Sequence, residues 1–249
     1  MIGLLTEERH RFIRQVLDKM SIIQLQEISE QLNVSESTIR RDFAALEEKG
    51  VLIRVHGGAK KVKQQTHEAS LPEKRHVHVL EKQLIGKKAG QLVEEGDVIY
   101  LDSGTTTFEM IPWLNNKKLL VVTNGIEIAS ALYQANIKTL FIGGFIKQST
   151  GTAIGASSYE QMLSLHFDKA FLGINGIDLK AGFTTPDIEE GKLKKAAIQQ
   201  SKQAYFLADS SKFDTANFYQ VAELKEVPLM TDKSNKKYEK IMQIMEVSV

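Results

Sequence analysis

The first fifty residues carry three apolar stripes whose spacing is that of amphipathic helices. Within each stripe, apolar residues recur three and four positions apart, which places them on one face of a helix. The first helix is predicted from Thr6, and the third begins after Ser35, a residue type favoured as a helix N-cap. The stripes are Phe12, Ile13, Val16 and Leu17, then Leu25, Ile28 and Leu32, then Ile39, Phe43 and Leu46.

Residues 51–58 follow the third helix with the alternating pattern of a small β-hairpin. Three helices with a sharp turn before the third, followed by a hairpin, predict a winged helix-turn-helix, which binds DNA. An isolated arginine pair would more often be a solvated helix face, but Arg40 and Arg41 lie in the third helix, where they suit phosphates and base edges. The residues predicted to contact DNA are Ser35, Ser37, Thr38, Arg40, Arg41, Arg54 and His56.

From residue 79 onward, short apolar runs alternate with helical patterns. This alternation predicts an α/β domain with a mostly parallel sheet covered by helices on both faces. We divide the chain into a winged helix at 1–60, a polar linker at 61–76 and an α/β domain at 77–249. Strands are predicted at 98–101, 119–122, 138–142, 169–172, 204–208 and 227–230, and helices at 79–93, 106–114, 126–133, 158–165, 187–200 and 235–245.

Loops rich in glycine and hydroxyl groups follow several of these strands. Ligands of parallel sheets bind at the carboxyl ends of the strands, and the loop at 102–107 would add the amides and dipole of a helix N-terminus, which favour an anion. Any one such loop is more often a helix cap or a turn, but five of them at one predicted edge favour a ligand site. The predicted ligand-binding residues are Asp102, Ser103, Gly104, Thr105, Thr106, Thr107, Asn124, Gly143, Gly144, Asn175 and Lys212.

The amino-acid composition excludes several other classes of protein. Hydrophobic residues make up 42% of the 249 positions and charged residues 25%, which is ordinary for a globular protein. No apolar run reaches the roughly 18 residues of a membrane span, so no membrane partner is expected. The absence of cysteine excludes disulfides and thiolate metal sites and fits a cytoplasmic location. The six histidines show no metal-ligand spacing, so neither a metal nor a cofactor is expected.

Two groups of motifs resemble a known family. Residues 35–43, SESTIRRDF, resemble the recognition helix of the DeoR family of bacterial transcriptional regulators, and residues 52–59, LIRVHGGA, are similar to that family's wing. The motifs at 102–107, 123–125, 143–144, 182–186 and 208–212 resemble its effector domain, which is similar to the ribose-5-phosphate isomerase fold. The resemblance covers nearly the whole chain. It implies phosphosugar sensing, with residues 103–107 and Lys212 around the phosphate.

The resemblance leaves open whether the α/β domain is an enzyme. A sugar-phosphate isomerase needs a carboxylate base, and here Leu172 and Asn175 occupy the positions of the isomerases' acidic loop. We therefore expect binding without turnover, in a repressor of a sugar-utilisation operon controlled by a phosphorylated sugar. A homo-oligomer, dimer or tetramer, on repeated half-sites is expected. Two alternatives remain: an active isomerase with a DNA-binding appendage, and a DNA binder whose α/β domain only oligomerises.

Overall fold

The chain forms two compact units, residues 1–65 and 66–249, which we describe separately. A computed structural model describes residues 6–20, 22–48, 51–61, 70–115 and 117–247. Half of the predicted linker, residues 62–69, lies outside the described residues. In the described ranges, no helix is both long enough and apolar enough to cross a bilayer.

The first unit is a winged helix-turn-helix, as the sequence predicted. Its strands form an antiparallel sheet in the order β1-β3-β2, and β2 and β3 are the wing. Asn33 takes a left-handed φ of 50° between the second and third helices, which allows the sharp turn there. The elements are α1 (Thr6–Met20), β1 (Ile22–Gln24), α2 (Leu25–Leu32), α3 (Glu36–Glu48), β2 (Leu52–Val55) and β3 (Gly58–Lys61).

The predicted apolar stripes form the core of this unit. Ile13 and Leu17 of α1, Ile28 of α2, and Ile39 and Phe43 of α3 are all buried in one hydrophobic cluster. Each helix therefore has one face fixed against the others and one face left for solvent or DNA.

The second unit is an α/β domain built around a seven-stranded sheet. Its elements to residue 163 are α4 (Leu71–Arg75), α5 (Val79–Gln91), β4 (Val98–Leu101), α6 (Thr105–Phe108), β5 (Leu120–Thr123), α7 (Ile126–Gln134), β6 (Thr139–Phe141), β7 (Phe145–Lys147), β8 (Thr152–Ile154) and α8 (Ala156–Leu163). The others are β9 (Phe167–Gly173), β10 (Gly176–Asp178), β11 (Gly182–Thr185), α9 (Ile188–Gln199), β12 (Ser201–Leu207), β13 (Tyr219–Ala222), β14 (Leu229–Thr231) and β15 (Ile244–Glu246).

The seven strands run parallel in the order β15-β14-β12-β9-β4-β5-β6. Side chains alternate across the sheet, so that Tyr100 of β4 joins one hydrophobic cluster while Ile99 and Leu101 join the other. The chain continues from β4 to β5 on one side, and β9 pairs with β4 on the other. The strand order thus reverses at β4, and a crevice for ligands is expected at the carboxyl ends there. This architecture confirms the predicted fold class.

Several elements differ from their prediction. The helix predicted at 106–114 is the four-residue α6 followed by a 3₁₀ turn at Ile111–Trp113, because Pro112 has no N–H for an α-helical bond. The helix predicted at 235–245 is replaced by turns and by β15, whose pairing with β14 extends the sheet. Helix α4, with a capping box between Ser70 and Glu73, lies inside the predicted linker. The small antiparallel sheets β10-β11-β13 and β7-β8 were not predicted.

Candidate functional site

The hydroxyl groups predicted to contact DNA cluster at the start of α3. Ser35 Oγ accepts a hydrogen bond from the Thr38 amide at 3.3 Å, so Ser35 is the predicted N-cap. The hydroxyls of Ser37 and Thr38 each lie 2.9 Å from Ser35 Oγ. The first turn of α3 therefore presents three linked hydroxyl groups.

Arg40 and Arg41 are both exposed on α3. Arg40 Nη2 lies 3.3 Å from Glu36 Oε2 one turn earlier, and the Arg40 side chain is 69% exposed. Solvent and salt screen such a surface pair strongly, so a phosphate can replace Glu36 at little cost.

Asp42, next along α3, faces the interior and fixes the helix in place. Arg9 Nε donates to Asp42 Oδ2 at 2.7 Å, and His10 Nε2 lies 3.2 Å from Asp42 Oδ1. The hydrogen bond to Asp42 raises the pKa of Arg9 above its ordinary value. This pairing ties α3 to α1, and sequence reasoning did not find it.

The wing residues Arg54 and His56 are exposed, but Arg54 is bound to α3. Its amide donates to Glu47 Oε1 at 2.8 Å and its Nε to Glu47 Oε2 at 2.6 Å. These bonds, first from the backbone and then from the side chain, lower the pKa of Glu47. Glu47, which the sequence did not single out, thus couples the wing to the end of α3.

A cavity of about 370 Å³ opens where the parallel sheet reverses its order. Its walls include the loops that follow β4, β9 and β12, which are adjacent strands, and parts of α5 and α9. The volume falls within the range of small-molecule sites, roughly 300–1,000 Å³. The predicted ligand-binding residues that line it are Asp102, Ser103, Gly104, Thr105, Thr106, Asn175 and Lys212.

Four predicted ligand-binding residues, Thr107, Asn124, Gly143 and Gly144, do not line this cavity. The Thr107 hydroxyl is buried and donates back to its own loop. Asn124 accepts from the Tyr100 hydroxyl at 2.9 Å and donates to a backbone carbonyl of β8.

The two glycines both lie against α8. The carbonyl of Gly143 accepts a hydrogen bond from Ser158 Oγ at 2.7 Å. A Cβ at Gly144 would lie 2.0 Å from the same Ser158 Oγ, so a side chain has no room there. Close approach to α8 accounts for Gly144, whereas a Cβ at Gly143 would meet nothing within 4 Å.

Asp102 organises the loop at the centre of the cavity. Its Oδ1 accepts from the Gly104 amide at 2.9 Å, and its Oδ2 accepts from the Gly173 amide at 2.8 Å. The Gly104 amide, which was expected to face an anion, is therefore bound within the protein itself. Lys194 Nζ also donates to Asp102 Oδ2, and both side chains are buried.

Lys82 and Lys194 bring positive charge to a cavity where the sequence predicted mainly the dipole of a helix N-terminus. The four residues of α6 give only a weak macrodipole, whereas Lys82, Lys194 and Lys212 all line the cavity. The pKa of Lys82 lies below its ordinary value, mainly because burial disfavours the charged form. The charge of Asp209 opposes this shift, and the charge of Lys212 adds to it. The sequence signal that could have found them is their spacing, which places Lys82 and Lys194 on the buried faces of α5 and α9.

Asp209 completes the wall beside Lys212. Its Oδ1 accepts from the Ser211 amide at 3.1 Å, and its Oδ2 lies 3.8 Å from Lys212 Nζ. This Oδ2 is buried and has no hydrogen-bond partner among the described residues. Buried carboxylate oxygens are nearly always satisfied, so the exception needs an explanation.

Glu190 of α9 also lines the cavity. Its Oε1 accepts from Thr150 Oγ1 at 2.8 Å and from Lys147 Nζ at 3.0 Å. The lining therefore combines cations, carboxylates and hydroxyls, which suits an anionic ligand with several hydroxyl groups. Within the described ranges, no three histidine, aspartate or glutamate side chains are grouped to hold a metal ion.

Comparison with known families matches both halves of the chain. Residues 9–65 match the DeoR-like helix-turn-helix domain, and residues 77–233 match the DeoR C-terminal sensor domain. A solved ribose 5-phosphate isomerase A from Methanocaldococcus jannaschii is similar at a TM-score of 0.40 and 19% identity, over 53% of each chain. That likeness bears on neither ligand nor activity.

Relatives span nearly the whole chain. The uncharacterized HTH-type transcriptional regulator FruR of Bacillus subtilis is 45% identical, over 92% of this chain and 91% of its own. A lactose phosphotransferase system repressor of Staphylococcus epidermidis is 35% identical, over 94% and 96%. These are names of regulators and not of enzymes, in agreement with the prediction of a protein without turnover. Both halves of the chain match domains of one family, and its relatives align over nearly the full length of each chain. The protein therefore belongs to the DeoR family of transcriptional regulators.

Proposed function

We propose that this protein represses a sugar-utilisation operon and that a phosphorylated sugar, bound in the cavity of the α/β unit, controls its affinity for operator DNA. The observation that carries the proposal is the grouping of Lys82, Lys194 and Lys212 around the loop at 103–106. Three lysines at the carboxyl ends of parallel strands favour an anion at the place where such sheets bind ligands.

The phosphate would lie between the loop and the lysines. The amides of Thr105 and Thr106 open α6 and therefore have no acceptor within that helix. Lys212, whose side chain is 35% exposed, can add a charge-assisted hydrogen bond. Lys194 is already held by Asp102, so its contribution is mainly long-range charge.

The sugar would fill the remaining, more mixed part of the cavity. Sugar hydroxyls both donate and accept hydrogen bonds, and Asn175, Thr150 and Glu190 offer partners of both kinds. A ligand with a phosphate at one end and hydroxyls along its length matches this distribution better than a bare anion does.

The winged helix would read the operator. Exposed Arg40 and Arg41 suit phosphates and base edges, with Ser37 and Thr38 beside them at the start of α3. One small winged helix reads few base pairs, so we propose a homo-oligomer, dimer or tetramer, on repeated half-sites in the cytoplasm. The name of the staphylococcal relative, a lactose phosphotransferase system repressor, supports a sugar operon as the target.

A ligand screen tests the proposal. The melting temperature of the full chain is measured with phosphates of fructose, tagatose, glycerol and deoxyribose, and with each compound dephosphorylated. A ligand specific for the native state raises stability by RT ln(1 + [L]/Kd), about 2.7 kcal/mol at a hundredfold excess over Kd. At least one phosphorylated compound should raise the melting temperature and change operator affinity, while its dephosphorylated form does neither. Equal shifts from both forms, or an operator affinity that no compound alters, would contradict the proposal.

A further inference from the structure

We propose that two copies of this chain assemble through the β6 edge of the seven-stranded sheet, with β6 of one copy pairing antiparallel with β6 of the other. The inference rests on the proposed homo-oligomer and deepens it, because it names the surface that assembles. The occupant of this edge is a second copy of the chain, and the pairing is centred on Leu140.

The first ground is an edge strand whose outer backbone groups are open. Strand β6 ends the sheet and pairs only with β5 among the strands that the structure describes. The carbonyl of Lys138 accepts from β5 at 3.0 Å, and the amide of Ile142 donates to β5 at 2.8 Å. Because successive residues turn their backbone groups to opposite sides, Thr139 and Phe141 direct theirs away from β5. A row of such groups is a template for pairing with another chain.

The second ground is an apolar patch that surrounds this edge. Tyr133 and Phe145 are large side chains, and each is 83% exposed. The elements that carry the patch are neighbours, since α7 is followed by β6, and the ring of Phe145 lies beside Gly155 at the start of α8. The exposed side chains, which we call the edge patch, are Tyr133, Leu140, Phe141, Phe145, Ile146 and Leu163.

The size of the edge patch fits a second copy of the chain. With about 150–250 Å² for each aromatic side chain, the exposed parts of the edge patch amount to roughly 700 Å². The largest apolar patch on a typical monomer covers about 300–600 Å², whereas each partner of a stable interface buries about 800 Å². Strand β6 itself carries no charged side chain, so pairing with its own copy brings no like charges together.

The third ground is that the outer side of β6 is complementary to itself. A two-fold axis at Leu140 places Thr139 opposite Phe141 of the second copy, and these two residues can exchange both backbone hydrogen bonds. Leu140 then faces its own counterpart in a non-hydrogen-bonded pair, where side chains lie closest. The opposite edge strand, β15, carries the exposed Glu246, a type of side chain that keeps edge strands from pairing.

The experiment measures the mass of the full chain in solution after a charge is placed on β6. Leu140→Lys and Leu140→Glu each set like charges against one another across the axis. The dissociation constant of the assembly should therefore rise at least ~30-fold, as when a central interface residue is lost. An equimolar mixture of the two variants sets opposite charges against one another and should recover assembly. Light scattering after size exclusion, over a range of protein concentrations, measures both effects.

The control is Leu179→Lys, in the turn between β10 and β11 of the same unit. Leu179 is 46% exposed against 42% for Leu140, but it does not belong to the edge patch. This variant should assemble like the wild type. If the Leu140 variants fold poorly, Phe145→Asp provides a second variant, because so exposed a side chain contributes little to the core. It should weaken assembly while leaving the melting temperature of the dissociated chain unchanged.

The outcomes separate this inference from the proposed function. Weaker assembly of both Leu140 variants, with recovery in their mixture, supports the pairing of β6. Variants that keep the wild-type mass, or a loss that the mixture does not recover, would overturn it and leave a homo-oligomer through another surface standing. A monomeric wild-type chain would overturn this inference together with the proposed homo-oligomer, and would indicate that a different protein covers the edge patch. Control by a sugar phosphate is decided separately, by the ligand screen.

Discussion

Lys194 and Asp102 lie 92 positions apart in the chain and form a buried ion pair at the centre of the cavity. The side chains are 8% and 3% exposed. The pair joins α9 to the loop that follows β4, and Asp102 in turn accepts from the amides of Gly104 and Gly173. One carboxylate therefore holds three segments of the site in register, and the buried Lys194 compensates its charge.

Replacing Lys194 should destabilise the protein strongly. Lys194→Met keeps the length of the side chain but leaves Asp102 buried without its counter-charge. Breaking such a pair from one side typically costs about 3–5 kcal/mol. The free energy of unfolding in urea, measured for the α/β transition, should fall by this order.

Two further variants isolate the cause of that loss. Lys192→Met removes an exposed lysine of the same helix, paired with Glu189 at the surface, and should change stability little. The double variant Asp102→Asn with Lys194→Met should recover part of the loss, since no lone charge remains buried. A double variant less stable than Lys194→Met would count against charge compensation as the role of Lys194.

The DNA-binding surface should depend on Arg40 and Arg41. Each guanidinium that neutralises a phosphate releases counterions, so Arg40→Ala or Arg41→Ala should weaken DNA binding and reduce the slope of log K against log salt by about 1. Titration of labelled operator at several salt concentrations measures both quantities. Arg14→Ala, an exposed arginine of α1, is the matched control. If the arginine variants keep the wild-type affinity and salt slope, Arg40 and Arg41 of α3 do not contact the operator.

The winged helix was predictable because its signals are local. Apolar periodicity, the Ser35 cap and the alternating hairpin each act within a few residues, and all three appear as expected. The pairs Arg9–Asp42 and Arg54–Glu47 were not predictable, since they join residues 33 and 7 positions apart. Charge alone does not indicate which partner a side chain meets once helices pack.

In the α/β unit, the order of the strands in the sheet was likewise not predictable from the sequence. The sequence predicted a ligand site at the carboxyl ends of the strands, where a cavity lies, but it does not specify which strands are neighbours. Strands β5 and β6 lie on the far side of β4 from β9 and β12, and the loops after them, with Asn124 and Gly143, do not line the cavity. Lys194 was missed for a related reason. Spacing assigns it to the buried face of α9, but only the fold brings that face to Asp102.

Effector response should be lost when the proposed phosphate contacts are removed. Lys212→Ala removes the charged donor of the proposed anion site, and Thr105→Ala removes a hydroxyl group beside its amides. Each should raise the dissociation constant for the sugar phosphate, Lys212→Ala by at least ~10-fold, the effect of a charge-assisted hydrogen bond. Operator affinity without effector should stay at the wild-type value, because neither residue belongs to the winged helix. Lys138→Ala, at an exposed position of the same unit, is the control and should respond normally. A normal response in both site variants would show that the phosphate binds elsewhere.

Coupling between effector and operator should be reciprocal. If the sugar phosphate lowers operator affinity by some factor, saturating operator DNA must lower sugar-phosphate affinity by the same factor, because both ligands act on one equilibrium between two states. Calorimetric titration of the effector, with and without an operator duplex, measures one side, and operator titration with and without effector measures the other. A duplex of unrelated sequence at matched salt controls for non-specific binding. The two factors should agree within error, about 5–150-fold for couplings of 1–3 kcal/mol. Effector binding that operator DNA leaves unchanged, in a protein whose operator affinity does respond, would show that the response arises from something other than the bound sugar phosphate.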